Sequence, residues 1–266
     1  MQTIWDCIID RIERGVMDSV SQAGTDVLVV GGGAAGCRAA LAAAAAGADV
    51  MLVDKGIVAR SGITITAGGG IQAPFRAGDS EEQFLRDVIS YGYSLADRNL
   101  ARTLVRDARE RVEDLERIGI RFRKDADGDW VQFQMPGQSA PRNVRLAHEG
   151  YGLMLGLRKA VLESPVKLVE DFAILELLRS PDGVVAGAVG LDLRGDGLVE
   201  IPARAVVIAT GGYESLWKVT DCPADATGEG LMIAYRAGAA LVDLEMVLFY
   251  PSVIIWPPAA RGSFVH

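Results

Sequence analysis

The segment from Asp26 to Val53 constrains this chain more than any other. An apolar run, DVLVV, leads into Gly31-Gly32-Gly33-Ala34-Ala35-Gly36. An alanine-rich stretch follows to about Ala46, then a second apolar run from Asp49 to Val53. Continuous apolar runs of strand length suit parallel strands buried on both faces, and the alanines between them favour a helix. The glycine spacing is GxGxxG: Gly31 permits a tight turn, Gly33 lets the backbone approach a pyrophosphate, and Gly36 lets helix and strand pack closely. A diphosphate is favoured there because the first N–H groups of the helix, at Ala34 and Ala35, face out of its positive end. Asp54 closes the second strand, where a carboxylate can accept hydrogen bonds from ribose hydroxyls. The unit does not by itself separate NAD from FAD. Cys37, at the helix start, is placed where a thiolate would be stabilised. Beside Gly36, a small packed side chain is the simpler reading.

Composition narrows the class. The 266 residues are half hydrophobic and carry a formal net charge of −8. That length allows one large core, and an acidic chain without a basic run is not expected to bind nucleic acid or an anionic membrane surface. Cys7, Cys37 and Cys222 form no CxxC pair, and His148 and His266 are the only histidines, so no metal site is expected. The long apolar stretch from Val27 to Val53 is interrupted by glycines, Arg38 and Asp49 and changes period halfway, which argues against a membrane span. A soluble, cytoplasmic protein is expected.

Along the chain, Ile4, Trp5, Ile8, Ile9, Ile12 and Val16 recur at helical spacing, so residues 1–24 are expected to hold an amphipathic helix. Residues 81–116 read as helices with a break near Tyr91 to Asp97. Residues 124–143 read as an irregular excursion, and 152–162 as helix. The period then changes, and 166–170, 173–178, 184–193 and 198–201 read as strands separated by turns at 180–183 and 194–197. A further buried strand, Ala205 to Ala209, runs into Thr210-Gly211-Gly212, and 228–239 is helical. The fold class is therefore α/β: a Rossmann-like domain with a parallel sheet and an inserted β-rich layer, without a linker that would separate two domains.

Several segments resemble the flavoprotein subunit family of fumarate reductase, succinate dehydrogenase and L-aspartate oxidase. They are Asp54-Lys55-Gly56, Arg60-Ser61-Gly62-Ile63-Thr64, Ala67-Gly68-Gly69-Gly70, Asp225-Ala226-Thr227-Gly228-Glu229-Gly230 and Asp243 to Ser252, while Thr210-Gly211-Gly212 resembles the segment that many two-dinucleotide-binding-domain flavoproteins place beside FAD. The likeness runs from Thr25 to Ser252. It implies FAD as the cofactor, with Gly31, Gly33, Ala34, Ala35 and Gly36 on the diphosphate and Asp54 on the adenosine ribose. Lys55, Arg60, Ser61, Gly62, Gly69, Ala173, Thr210, Gly211 and Glu229 complete the cofactor site. Gly62 stands where respiratory members carry the histidine that bonds covalently to FAD, so the resemblance implies noncovalent FAD here. Glu229 replaces the usual Asp. Tyr250 replaces a substrate-contacting histidine, and either bonds a substrate carboxylate or carbonyl or packs beneath the flavin or at the domain interface. Arg261-Gly262 either matches an Arg-Gly of the family's proton route, with Pro258 in the glutamate position, or is a surface loop.

The resemblance thus divides the chain into the helix at 1–24, an incomplete FAD-binding domain at 25–252, and a tail at 253–266 where the family's capping domain is expected to begin. It implies hydride transfer between flavin and a small carboxylate or C=C substrate, with either the missing C-terminal part or a second polypeptide or electron-transfer partner completing the site. The competing reading is a nucleotide-binding subunit without turnover of its own. A compact thiazole-synthase-like enzyme fits the 60–70 and 225–230 segments poorly.

Overall fold

In a computed structural model of the chain, the described residues are 19–21, 24–68, 70–195, 197–249 and 252–261. The apolar stripe from Ile4 to Val16 lies outside them. Ser19–Ser21 is a strand, β1, so helix does not run through to residue 24 as expected. The chain divides into two compact units, one built from residues up to Ile63 and from Val161 onward, the other from Thr64–Ala160. The sequence shows no boundary at either point.

The first unit carries the βαβ motif. Strand β2 (Thr25–Val30) is followed by helix α1 (Ala34–Ala45) and strand β3 (Val50–Val53). Strands β2 and β3 pair in parallel, Val27 with Val50 through Val30 with Val53. All four β3 residues are buried, which is what an apolar run without alternation anticipates. Strand β7 (Lys167–Val169) extends the parallel sheet beyond β3. On the other side, β2 pairs with the second half of β10 (Leu198–Ile208). The first half of β10 pairs antiparallel with β9 (Val185–Asp192), which pairs with β8 (Phe172–Arg179), and β1 joins β10 in parallel. The sheet order is β7-β3-β2-β10-β9-β8. Leu28, Val30, Met51, Val53, Phe172, Ile174, Ile201 and Ile233 form its buried cluster.

One sequence expectation is corrected here. Residues 198–201 and 205–209 are parts of one strand, and Pro202 does not divide them. A proline lacks the N–H that a ladder needs, so an interruption was the natural reading. Pro202 stands where β10 exchanges one neighbour for another: it registers with Gly187 of β9, and Ala203 next to it registers with Thr25 of β2. At such a hand-over the missing donor interrupts neither ladder.

The second unit holds helices α3 (Glu81–Tyr91), α4 (Arg98–Arg117) and most of α5 (Glu149–Leu162); the short α2 (Ile63–Thr66) opens it. Ser80 caps α3 by accepting the Gln83 N–H at 3.1 Å, and Asp97 caps α4 by accepting from Asn99 and Leu100. Between them Tyr93 and Ser94 take positive φ, so the break expected at 91–97 is present. The 124–143 excursion is more ordered than expected. Strands β4 (Gly70–Gln72), β5 (Gln132–Phe133) and β6 (Asn143–Arg145) form a small antiparallel sheet in the order β4-β6-β5. These strands of two or three residues are too short to show a period. Arg142, fully buried, anchors the unit: Nε reaches Asp79 Oδ2 at 2.8 Å, Nη2 reaches Asp79 Oδ1 at 2.7 Å, and Nη1 bonds Asp87.

Candidate FAD site

The glycine turn lies where β2 ends. Gly31 has φ +107°, and a Cβ there would stand 2.4 Å from the carbonyl oxygen of Ala209. A Cβ on Gly36 would stand 1.7 Å from the carbonyl oxygen of Gly31. Both positions therefore exclude any side chain, one by conformation and contact, the other by the closeness of helix to turn. Gly33 is the N-cap of α1; it makes no side-chain cap bond, and the first turn contains no acidic residue. Ala35 is exposed and Gly33 and Ala34 half-buried, so the positive end of the helix is accessible to an anion and has no carboxylate of its own. Cys37 is fully buried, and its thiol donates to the Gly32 carbonyl at 3.4 Å, which makes it a packing residue.

Asp54 ties this turn to the loop that follows β3. Its Oδ2 accepts the Gly32 N–H at 2.5 Å; its Oδ1 accepts the Gly56 N–H at 2.7 Å and the Ser61 hydroxyl at 3.0 Å. Two sp² oxygens offer about four acceptor directions, so one remains on Oδ2 for a ligand hydroxyl. Ser61 is thus a supporter of Asp54. The same loop donates Val58 N–H to Glu170 at 3.1 Å and Ala59 N–H to the Gly32 carbonyl at 2.9 Å.

Lys55 joins the loop to the N-terminus of helix α6 (Glu229–Arg236). Its amine donates to the Asp225 carbonyl at 2.7 Å and to the Thr227 hydroxyl at 2.8 Å, and forms an ion pair with Glu229. Burial alone would raise the Glu229 pKa. The hydrogen bonds from Lys55 and Thr227 outweigh it and hold the carboxyl below the ordinary glutamate value. Gly62 adds a second tie, its N–H donating to Asp225 Oδ2 at 2.7 Å.

These elements surround a cavity of about 130 Å³ at the ends of β2 and β3, lined by Gly31, Asp54, Lys55, Ala173, Thr210 and Glu229 over an apolar floor that includes Phe172, Ile174 and Ile233. Six residues singled out from the sequence, spread from position 31 to 229, are therefore brought together. The start of β8 enters beside them because Phe172 N–H donates to the Asp54 carbonyl at 3.0 Å. Gly230 also belongs to this packing, since a Cβ there would stand 1.9 Å from the Thr210 hydroxyl. Arg60 and Gly211 are exposed and do not line the cavity. Arg261 is exposed too, its guanidinium donating to the Lys218 carbonyl at 3.3 Å, so the structure does not bring it to this cavity. Gly69 and Tyr250 lie outside the described residues. Asp225 and Thr227 fall within a sequence motif that assigns neither of them a role; the acceptor-rich spacing around Glu229 was the available signal. Among the described residues no cluster of His, Cys, Asp and Glu could hold a metal ion, and no helix is long and apolar enough to cross a membrane.

Comparison with known proteins agrees with this geometry. The family described as FAD binding domain matches residues 26–265. The matching subunit of the CoM/CoB fumarate reductase of Methanothermobacter marburgensis is 33% identical over 90% of this chain and 44% of its own length. The L-aspartate oxidase of Streptomyces coelicolor is 35% identical over 90% of this chain and 42% of its own. The structure of Mycobacterium smegmatis Sdh1 in complex with UQ1 superimposes with a TM-score of 0.87 at 30% identity, covering 93% of this chain and 44% of that one. The chain spans less than half the length of the curated relatives it matches here.

Proposed function

Since this chain belongs to the FAD binding domain family of flavin-dependent oxidoreductases, we propose that it holds FAD without a covalent bond and that the whole protein transfers hydride between flavin and a small carboxylate or C=C-bearing substrate. One observation carries the reading: the glycine turn, Asp54, the Lys55–Glu229 pair and Thr210 converge on one cavity. The residues fit the cofactor. The turn at Gly31 and Gly36 has no room for a side chain, the first turn of α1 contains no acidic residue, and Asp54 keeps an acceptor direction for a ribose hydroxyl.

Bound flavin supplies the redox chemistry, accepting or donating two electrons with a proton. The chain contributes binding and orientation. Helix α1 stabilises the diphosphate charge, Asp54 fixes the glycine turn and the ribose, and Lys55 with Glu229 holds the end of α6 against the β3 loop. Gly62, with φ +78°, takes a backbone conformation that a side chain disfavours, which supports noncovalent attachment. In this proposal the FAD-binding region spans 25–252, and 253–266 is the start of a capping segment or a tail. Tyr250 and Arg261 belong to the proposal as candidate substrate and proton-route residues.

A second reading, an FAD-binding subunit that acts only with a partner chain, is favoured by the exposed apolar side chains of Val242, Leu248, Phe249, Ile255 and Trp256. The primary test is reconstitution. The purified chain mixed with FAD and desalted should show the visible bands of a bound flavin, and acid precipitation should leave that flavin in the supernatant. A folded chain that emerges colourless contradicts the cofactor reading; flavin that pellets with the polypeptide contradicts noncovalent attachment. Turnover with fumarate or L-aspartate by this chain alone would remove the second reading.

A further inference from the structure

The carboxylate of Asp225 is unusual. Its Oδ1 is buried and makes no hydrogen bond among the described residues, although buried carboxylate oxygens almost always do. Its Oδ2 accepts the N–H of Gly62 at 2.7 Å, from 163 residues away in sequence. The main chain of Asp225 is held independently. Lys55 donates to its carbonyl at 2.7 Å, and the neighbouring Ala226, itself buried, accepts the Ser215 N–H at 3.0 Å and its hydroxyl at 2.7 Å. Gly62, by contrast, has φ +78° with nothing within 4 Å of where a Cβ would stand. Glycine is therefore needed at 62 for its conformation, not for space. A fixed acceptor grips the amide of a residue that would otherwise be among the freest in the loop.

We propose that Asp225 is a positioning residue for the cofactor: by holding the Gly62 amide it fixes the 54–62 loop against the 225–229 segment in the conformation that retains FAD. The inference rests on the FAD reading above and names a residue for which that reading has no role. Removing the carboxylate leaves the Gly62 N–H without its acceptor and returns glycine's freedom to the loop. An amide in its place still offers an oxygen to the same N–H, so geometry and charge can be separated.

The test uses the full chain loaded with FAD, with cofactor release followed by the recovery of flavin fluorescence on dilution. Asp225→Ala should release FAD about tenfold faster and Asp225→Asn within about twofold of the parent. Gly62→Ala, strained at the same φ, should also release faster, and the double variant Gly62→Ala with Asp225→Ala should add little to either change. In the FAD-free chain, hydrogen exchange of the Gly62 amide should rise in Asp225→Ala and return in Asp225→Asn, while the thermal midpoint stays put. Parent-like FAD retention in Asp225→Ala, equal loss in the Ala and Asn variants, or independent multiplication of the two effects would overturn the inference while leaving FAD binding intact. A parent chain that binds no FAD removes the function proposed above and this inference with it.

Discussion

At the scale of single residues, the site depends on atoms that leave no room and on charges that are paired. Gly31→Ala would place a methyl group 2.4 Å from the Ala209 oxygen and force φ +107° on an L-residue. Strain of this kind costs roughly 1–3 kcal/mol before any contact is relieved. Urea unfolding of the FAD-free variant should show a loss of about 3 kcal/mol, together with lost FAD binding. Glu229 gives a pH-dependent prediction. Its folded pKa lies below the ordinary value of 4.5, so its stabilising contribution is present above pH 4.5 and is lost as pH falls through the folded value. Glu229→Gln should therefore be less stable than the parent near pH 7, and the gap in thermal midpoint should narrow as pH falls below 4.5. A gap that is constant with pH would mean that folding does not lower the Glu229 pKa.

At the scale of elements, each unit has one arrangement that its strands and helices depend on. In the second unit it is Arg142, whose partner Asp79 is 1% exposed in the side chain. Truncating Arg142 to Met would leave that carboxylate buried and unpaired, at a cost of about 3–5 kcal/mol measurable by chemical denaturation. In the first unit it is β10, one strand serving two ladders. The βαβ segment was legible in the sequence because uninterrupted apolar runs and the glycine spacing are local signals, and so was the break between α3 and α4. The continuity of β10 through Pro202 was not, because it depends on which strands lie to either side. The three short strands of the second unit were too brief to register. The candidate site divides the same way. Gly31, Asp54 and Glu229 stood out by motif, whereas the bonds Lys55–Asp225 and Gly62–Asp225 join positions more than 160 residues apart and leave no periodic trace. Arg60 and Arg261 carried chemistry on paper, but neither lines the cavity.

At the scale of the whole molecule, the parallel strands deliver the glycine turn and Asp54 to the cavity, and the β-rich excursion returns through β10 to deliver Thr210. The chain covers less than half the length of these curated relatives, and the residues proposed for the adenosine-diphosphate part of the cofactor all lie within it. The central claim is that Gly31 to Gly36 form a diphosphate cradle for FAD, and calorimetric titration of the FAD-free chain tests it most directly. One FAD should bind per chain, ADP should compete for the same site because it carries the part that the cradle holds, and Gly36→Val should abolish both. Absence of FAD binding by a folded chain, or FAD binding that ADP and Gly36→Val leave unchanged, would contradict the account.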